Sequence, residues 1–174
     1  PIKVIVDTTA PEKPKTPENF TDNEGDKQGN FPSGTETDDT TPSIIIGPVK
    51  EGETPKLYVE GKEVPATYDP EKGTLTPTNP LPDGPHNITY TVTDPAGNES
   101  DPSDPIIVII DTTKPTTLAL DSVHDDQEFI VGELNSGDFT NDKTPTFSGS
   151  GAESGALIKL KDQNGNVLGL IPLS

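Results

Sequence analysis

The sequence of 174 residues has no cysteine, no methionine and no tryptophan, and only two histidines. Without cysteine there is no disulfide scaffold, no thiolate metal site and no cysteine nucleophile. His86 and His124 do not make up a multi-histidine zinc site. Basic residues are scarce, with 12 Lys and Arg against 30 Asp and Glu, and the net charge of −18 argues against nucleic acid or anionic lipid as partners, because both need cationic surfaces. It favours cations. No apolar run approaches the roughly 20 residues of a membrane-spanning helix, so membrane insertion is not expected. Glycine (16) and proline (20) are abundant, which excludes a helical bundle. Leu, Ile, Val and Phe make up little more than a fifth of the chain, close to the ~20 % level below which chains tend to stay disordered. Periodicity must therefore decide whether the chain folds.

The chain repeats itself. Pro1-Ile2-Lys3-Val4-Ile5-Val6-Asp7-Thr8-Thr9-Ala10-Pro11 returns as Pro105 through Pro115, with Asp7 matching Asp111 at a shift of 104. Further on, Ser33-Gly34 returns as Ser136-Gly137, Thr41-Pro42 as Thr144-Pro145, and Gly52 through Leu57 as Gly155 through Leu160, all at a shift of 103. A period of this length means tandem modules. Residues 1–7 read as the end of the last strand of one module, 8–111 as a complete module, and 112–174 as the first part of another. The natural protein is expected to continue in both directions.

Within the complete module, Ile88, Tyr90 and Val92 alternate with Thr89, Thr91 and Thr93. That is the two-residue period of a strand with one buried and one solvated face. Lys56 through Glu60 alternates likewise, with Leu57 and Val59 inward. Ile44 through Ile46 and Ile106 through Ile110 are apolar runs suited to strands buried on both sides or lying at a sheet centre. Turn signals separate these segments at Glu60-Gly61-Lys62, Glu71-Lys72-Gly73, Pro82-Asp83-Gly84 and Ala96-Gly97-Asn98. About seven short strands in some 100 residues predict an all-β fold, a disulfide-free immunoglobulin-like β-sandwich repeated in tandem. Thr21 through Thr37 reads as a long loop, to be ligated by calcium, packed on a neighbouring module or left mobile, with Phe31, aligned with Leu134, as its candidate anchor.

Asp7-Thr8-Thr9-Ala10-Pro11, Thr37-Asp38-Asp39-Thr40-Thr41-Pro42, Leu81-Pro82-Asp83-Gly84-Pro85-His86 and Thr93-Asp94-Pro95-Ala96-Gly97-Asn98-Glu99-Ser100 resemble the bacterial Ig-like repeats of giant type I-secreted adhesins, of the SiiE and BapA kind. Leu75 stands near the place where members of that family carry a tryptophan. The resemblance implies a rod-like stalk of tandem sandwiches, secreted by a Gram-negative bacterium, with calcium at the joints.

Catalysis finds little support in the residues. A nucleophile needs an adjacent base and a group that orients it, and the complete module has one histidine. His86, beside a turn, reads as a corner residue bonded to backbone, and His124 as an exposed residue of an acidic loop. A pair of carboxylates such as Asp38 and Asp39 is the residue type that glycoside hydrolysis uses, but they recur as Asn141 and Asp142, so the pair is not kept. No enzyme activity is expected. Calcium accounts better for the acids, since it takes ~6–8 oxygen ligands. Asp7 and Asp111 end strands at the joints. Asp94 and Asn98 belong to the final hairpin, expected near Asp7. Asp22, Asp38 and Asp39 lie in the long loop, expected near Asp111, and Asp125 and Asp142 are their counterparts. Carboxylates converging there would repel without a cation. The opposing reading is that Asp serves only as a turn and capping residue.

The expected function is a calcium-stiffened structural repeat in the stalk of a secreted or surface adhesin. It would serve cell adhesion, biofilm contact and virulence, and meet a host-cell or glycan receptor through other parts of the protein. Its immediate partners would be neighbouring Ig-like modules of the same chain. The alternative is an accessory Ig-like spacer or carbohydrate-contacting module of an extracellular polysaccharide-degrading enzyme, for which Tyr58 and Tyr68 are the surface candidates.

Overall fold

The structure, a computed structural model, describes residues 1–115, 118–129, 131–153 and 156–172. Gly155, the repeat counterpart of Gly52, lies outside the described residues. The chain divides into two compact units, Pro1–Thr112 and Thr113–Ser174. All regular structure among the described residues is β.

Unit 1 is a sandwich of two five-stranded sheets. One contains β1 (Asn19–Asp22), β2 (Gly29–Pro32), β4 (Ser43–Ile45), β7 (Ala66–Asp69) and β8 (Thr74–Pro77), in the order β2-β1-β4-β8-β7. The other contains β3 (Glu36–Thr37), β5 (Thr54–Val59), β6 (Lys62–Val64), β9 (Gly84–Thr93) and β10 (Ile106–Ile110), in the order β3-β10-β9-β5-β6. Every pairing is antiparallel except that of β3 with β10. The core lies between the sheets. Phe20 and Leu75 stand opposite Ile44 in register, and Leu57 stands opposite Tyr90. Phe20, Ile44, Leu57, Ile88, Ile106 and Val108 are fully buried, each contributing ~1.5–3 kcal/mol from removal of apolar surface from water. Leu75 fills the core with 1 % exposure, so a leucine suffices at that position.

The isoleucine runs belong to strands at sheet centres that are covered on one face. β4 is flanked by β1 and β8, and β10 by β3 and β9, while Ile107 remains 40 % exposed. The stretch expected as a long loop, Thr21 through Thr37, is instead the β1–β2 hairpin followed by β3. Gly25, at φ +58°, lets its backbone lie against Asp38, whose carboxylate any Cβ there would strike. The ring of Phe31 packs on Phe20 with centroids 6.1 Å apart, and this contact holds the hairpin on the sandwich. Residues 1–7 form no strand, and Ile2, Val4, Ile5 and Val6 are exposed.

Unit 2 contains a sheet of β11 (Ala119–Asp125), β12 (Gly132–Leu134) and β13 (Thr146–Ser150), and a hairpin of β14 (Leu157–Lys161) with β15 (Val167–Pro172). The β11–β12 hairpin reproduces β1–β2 at the repeat shift, with Asp125 opposite Gly132 as Asp22 is opposite Gly29. His124, expected as an exposed loop residue, is a half-buried strand residue opposite Glu133 and Thr146.

Candidate functional site

Of the acids singled out in the sequence, those up to Asp111 lie at the two ends of unit 1, and Asp125 and Asp142 belong to unit 2. At the end where β9 finishes, Asp94 closes a five-residue turn. Its Oδ1 accepts the backbone N–H groups of Ala96 (2.9 Å) and Asn98 (2.8 Å), and its Oδ2 accepts the Asn98 side-chain amide (2.9 Å). That amide, joined by the backbone N–H groups, holds the Asp94 carboxyl below its usual range and therefore ionised. The same Asn98 Nδ2 donates to the backbone carbonyl of Asp7 (3.2 Å). Asp7 in turn accepts the N–H of Thr9 at 3.0 Å through Oδ1. The entering segment is tied down further by Lys13 Nζ, 2.7 Å from Asp104 Oδ1.

At the opposite end, β10 runs into Asp111, whose backbone N–H donates to the carbonyl of Thr37 (2.9 Å). Asp83, in the turn before β9, accepts both the N–H (3.2 Å) and the hydroxyl (2.8 Å) of Thr112. Thr37 is also the centre of a buried network. Its hydroxyl donates to Asp22 Oδ2 (2.6 Å) and accepts the N–H of Asp39 (3.1 Å). Asp22 Oδ1 accepts the N–H of Glu24 (2.9 Å). Asp39 accepts the N–H of Thr41 (2.8 Å) and the N–H of Asn23 (3.3 Å). Asp22 and Asp39 are 3 % and 1 % exposed. Carboxylates removed from water to this degree need hydrogen bonds to replace hydration, and both have them. Asp38, between them, is exposed.

Unit 2 repeats this network bond for bond. Thr140 donates to Asp125 Oδ2 (2.5 Å) and accepts the N–H of Asp142 (2.9 Å). Asp125 accepts the N–H of Gln127 (2.8 Å), and Asp142 accepts the N–H of Thr144 (2.8 Å) and of Asp126 (3.4 Å). The sequence reading named the four buried aspartates but missed the threonines. The signal for them is Thr-x-Asp-x-Thr-Pro, present at both Thr37 and Thr140.

Two other features escaped the sequence reading. Asp162 closes a turn of the Asp94 kind, accepting the N–H groups of Asn164 and Asn166 (both 2.8 Å) and the Asn166 side-chain amide (2.8 Å). The shared pattern Asp-x-x-Gly-Asn could have flagged it. On the outer face of the β3-containing sheet, Glu99 accepts from Lys56 Nζ (2.7 Å), the Tyr58 hydroxyl (2.6 Å) and the Thr91 hydroxyl (2.7 Å). These donors, Lys56 foremost, hold the Glu99 carboxyl at about 2. Thr91 is therefore buried, at 4 % exposure, and does not lie on a solvated face. Tyr58 is bound to Glu99, and the Tyr68 hydroxyl donates to the Gly47 carbonyl (3.1 Å) and accepts the N–H of Val49 (3.2 Å). Both tyrosine hydroxyls, the surface candidates for a sugar, are thus engaged within unit 1.

The oxygens at the Asp7 end are carboxylate and carbonyl oxygens, the kind that a hard cation takes, and both Asp94 oxygens also accept protein N–H groups. The buried aspartates already spend their oxygens on protein donors. Among the described residues, no group of three or more His, Cys, Asp or Glu side chains is placed to hold a metal ion. His86 is a corner residue, with Nε2 2.7 Å from the carbonyl of Pro82. No helix among the described residues is long and apolar enough to cross a membrane.

Comparison with curated proteins finds no match. The family model of the bacterial Ig-like domain matches residues 14–112. Such domains are generally non-catalytic, and are typically structural modules of surface or extracellular proteins. The match spans both sheets of unit 1 and more than half of the sequence, and the chain belongs to the bacterial Ig-like domain family.

Proposed function

We propose that the protein is a calcium-stiffened stalk segment of a secreted or surface adhesin of the SiiE and BapA kind, extending a distant tip toward a host-cell or glycan receptor and serving adhesion and biofilm contact. The observation that carries this reading is the tethering of both connecting segments by acidic turns. Asp7 is held through Asn98 by Asp94, and Asp111 by Thr37 beside the buried aspartates. Calcium at one end would draw on Asp7, Asp94 and Asn98, and at the other on Asp38 and Asp111. Asp22 and Asp39 hold the loop in shape, as Asp125 and Asp142 do in unit 2. The ion would relieve repulsion among acids in a chain of net charge −18 and limit swinging of the connecting segments. Proline at Pro11 already restricts the backbone there.

Extracellular calcium modules commonly bind in the ~10⁻⁴–10⁻³ M range. Millimolar calcium should therefore raise the melting temperature, and chelator should reverse the rise, because a ligand bound only by the folded state stabilises it. Small-angle scattering should show a longer particle with a narrower shape distribution in calcium, and Asp111→Ala should blunt that response. Identical melts and profiles with calcium and chelator would sink the proposal.

A further inference from the structure

The two units differ around the Asp–Thr–Asp network. The buried acids are the same, but exposed positions beside them are not. At the shift of 103, Asp26 becomes Phe129 while Gly25 becomes Glu128, and Glu36 becomes Phe139 while Thr35 becomes Asp138. At both places an acid moves one residue earlier and a phenylalanine takes its position. Phe129 is 97 % exposed and Phe139 89 % exposed. With Thr140 and Asn141 they line one surface hollow of about 360 Å³. In unit 1 the equivalent position, Glu36, points outward and is exposed although it pairs with β10. Phe129 also sits at φ +91°, a strained conformation for a residue with a Cβ, and no burial of its ring compensates within the unit.

The surroundings carry a charge signature. From Asp125 to Asp142 there are six acidic residues and neither lysine nor arginine. In unit 1 the matching stretch contains Lys27, whose Nζ lies 5.4 Å from the ring centroid of Phe31. The residue in its place in unit 2 is Ile130. Among the described residues, neither Phe129 nor Phe139 has a cation over its ring.

We propose that Phe129 and Phe139 form a docking site for a basic segment of a partner protein, receiving an arginine or lysine side chain against the two rings. The ring faces attract a cation through their quadrupole. The flanking acids draw the partner in and reject acidic competitors. The aliphatic stem of the incoming side chain covers ring surface otherwise left to water. A neutral saccharide would use the rings and leave the charge idle. The site goes beyond the stalk role, and belongs to unit 2 alone, since unit 1 has Asp26 and Glu36 in these positions.

The test uses the full chain in chelator, so that no metal ion competes, and a short arginine-containing peptide beside the same peptide with citrulline, which keeps the shape without the charge. The phenylalanine ring resonances report binding by NMR. The arginine peptide should shift two of the five phenylalanine spin systems, lose affinity as salt is added, and bind about tenfold more tightly than the citrulline peptide. Phe129→Leu with Phe139→Leu retains apolar bulk at two exposed positions, and should weaken binding by about the same factor. Glu128→Gln, which leaves both rings in place, should weaken it less. Equal binding of the two peptides, full affinity in the double variant, absence of binding at millimolar peptide, or preference for a neutral oligosaccharide would each overturn the proposal.

Discussion

Replacing Asp39 or its neighbour Asp38 by alanine separates a hydrogen-bonding aspartate from a metal-binding one. Asp39 is 1 % exposed and accepts two backbone N–H groups, from Thr41 and Asn23, together with the Thr41 hydroxyl (3.3 Å). Asp39→Ala leaves these donors without an acceptor in a place that water reaches poorly. Hydrogen bonds to a charged group are worth ~1.5–3 kcal/mol each, and an orphaned donor costs ~1–3 kcal/mol. The bonds share one carboxylate and the loop relaxes in part, so the expected loss is about 3 kcal/mol. Asp38→Ala, at an exposed position, should cost under ~0.5 kcal/mol in chelator. The assay is urea unfolding followed by tyrosine fluorescence. All three tyrosines, Tyr58, Tyr68 and Tyr90, lie in unit 1 and no tryptophan is present, so the signal reports that unit alone. In chelator the Asp39→Ala midpoint should fall with its slope unchanged. In calcium, Asp38→Ala should lose part of the stabilisation that the ion confers. A loss below ~1 kcal/mol for Asp39→Ala in chelator would refute the hydrogen-bonded lock. A loss seen only in calcium would make Asp39 a metal ligand instead.

Other perturbations probe the core, the outer face and the turns. Ile88→Ala should cost ~2–4 kcal/mol by opening a cavity in the core, whereas Thr89→Ala should stay below ~0.5 kcal/mol; Thr91→Ala, which removes a buried donor to Glu99, should fall between them at about 1 kcal/mol, all measured by the same unfolding assay. Glu99 has its carboxyl lowered from 4.5 to about 2, so the stability it adds is complete above pH 4.5 and disappears as pH falls toward 2. With the carboxylate one-third exposed, that stability is discounted to about 1 kcal/mol, and Glu99→Gln should flatten the acid limb of the unfolding profile; an unchanged limb would show that other groups dominate it. Gly73→Ala should cost at least ~1 kcal/mol, because φ is +64° and the new Cβ would lie 2.8 Å from the Gly47 backbone; a neutral melt would mean that the turn shifts without cost.

The strands were legible in the sequence wherever a two-residue alternation met turn residues. Ile88, Tyr90 and Val92 face the core as their spacing predicts, because a pleated strand sends alternate side chains to opposite faces whatever its partners are. The repeat, too, was legible by itself, and with it the equivalence of Asp22 with Asp125 and Asp39 with Asp142. What alternation cannot reveal is what covers the outer face. Thr91 looks solvated in one dimension, and only the return of the chain through Glu99, with Lys56 and Tyr58 from β5, buries it. The polar stretch from Thr21 to Thr37 reads as a loop because its hydrogen bonds are made across a hairpin and to β10, pairings that its own composition does not encode. The aspartates were visible as acids, but their division into buried hydrogen-bond acceptors and exposed groups was decided by the tertiary structure. A carboxylate's role depends on how many donors the fold aims at it and how much water remains, and both are properties of neighbours distant in sequence.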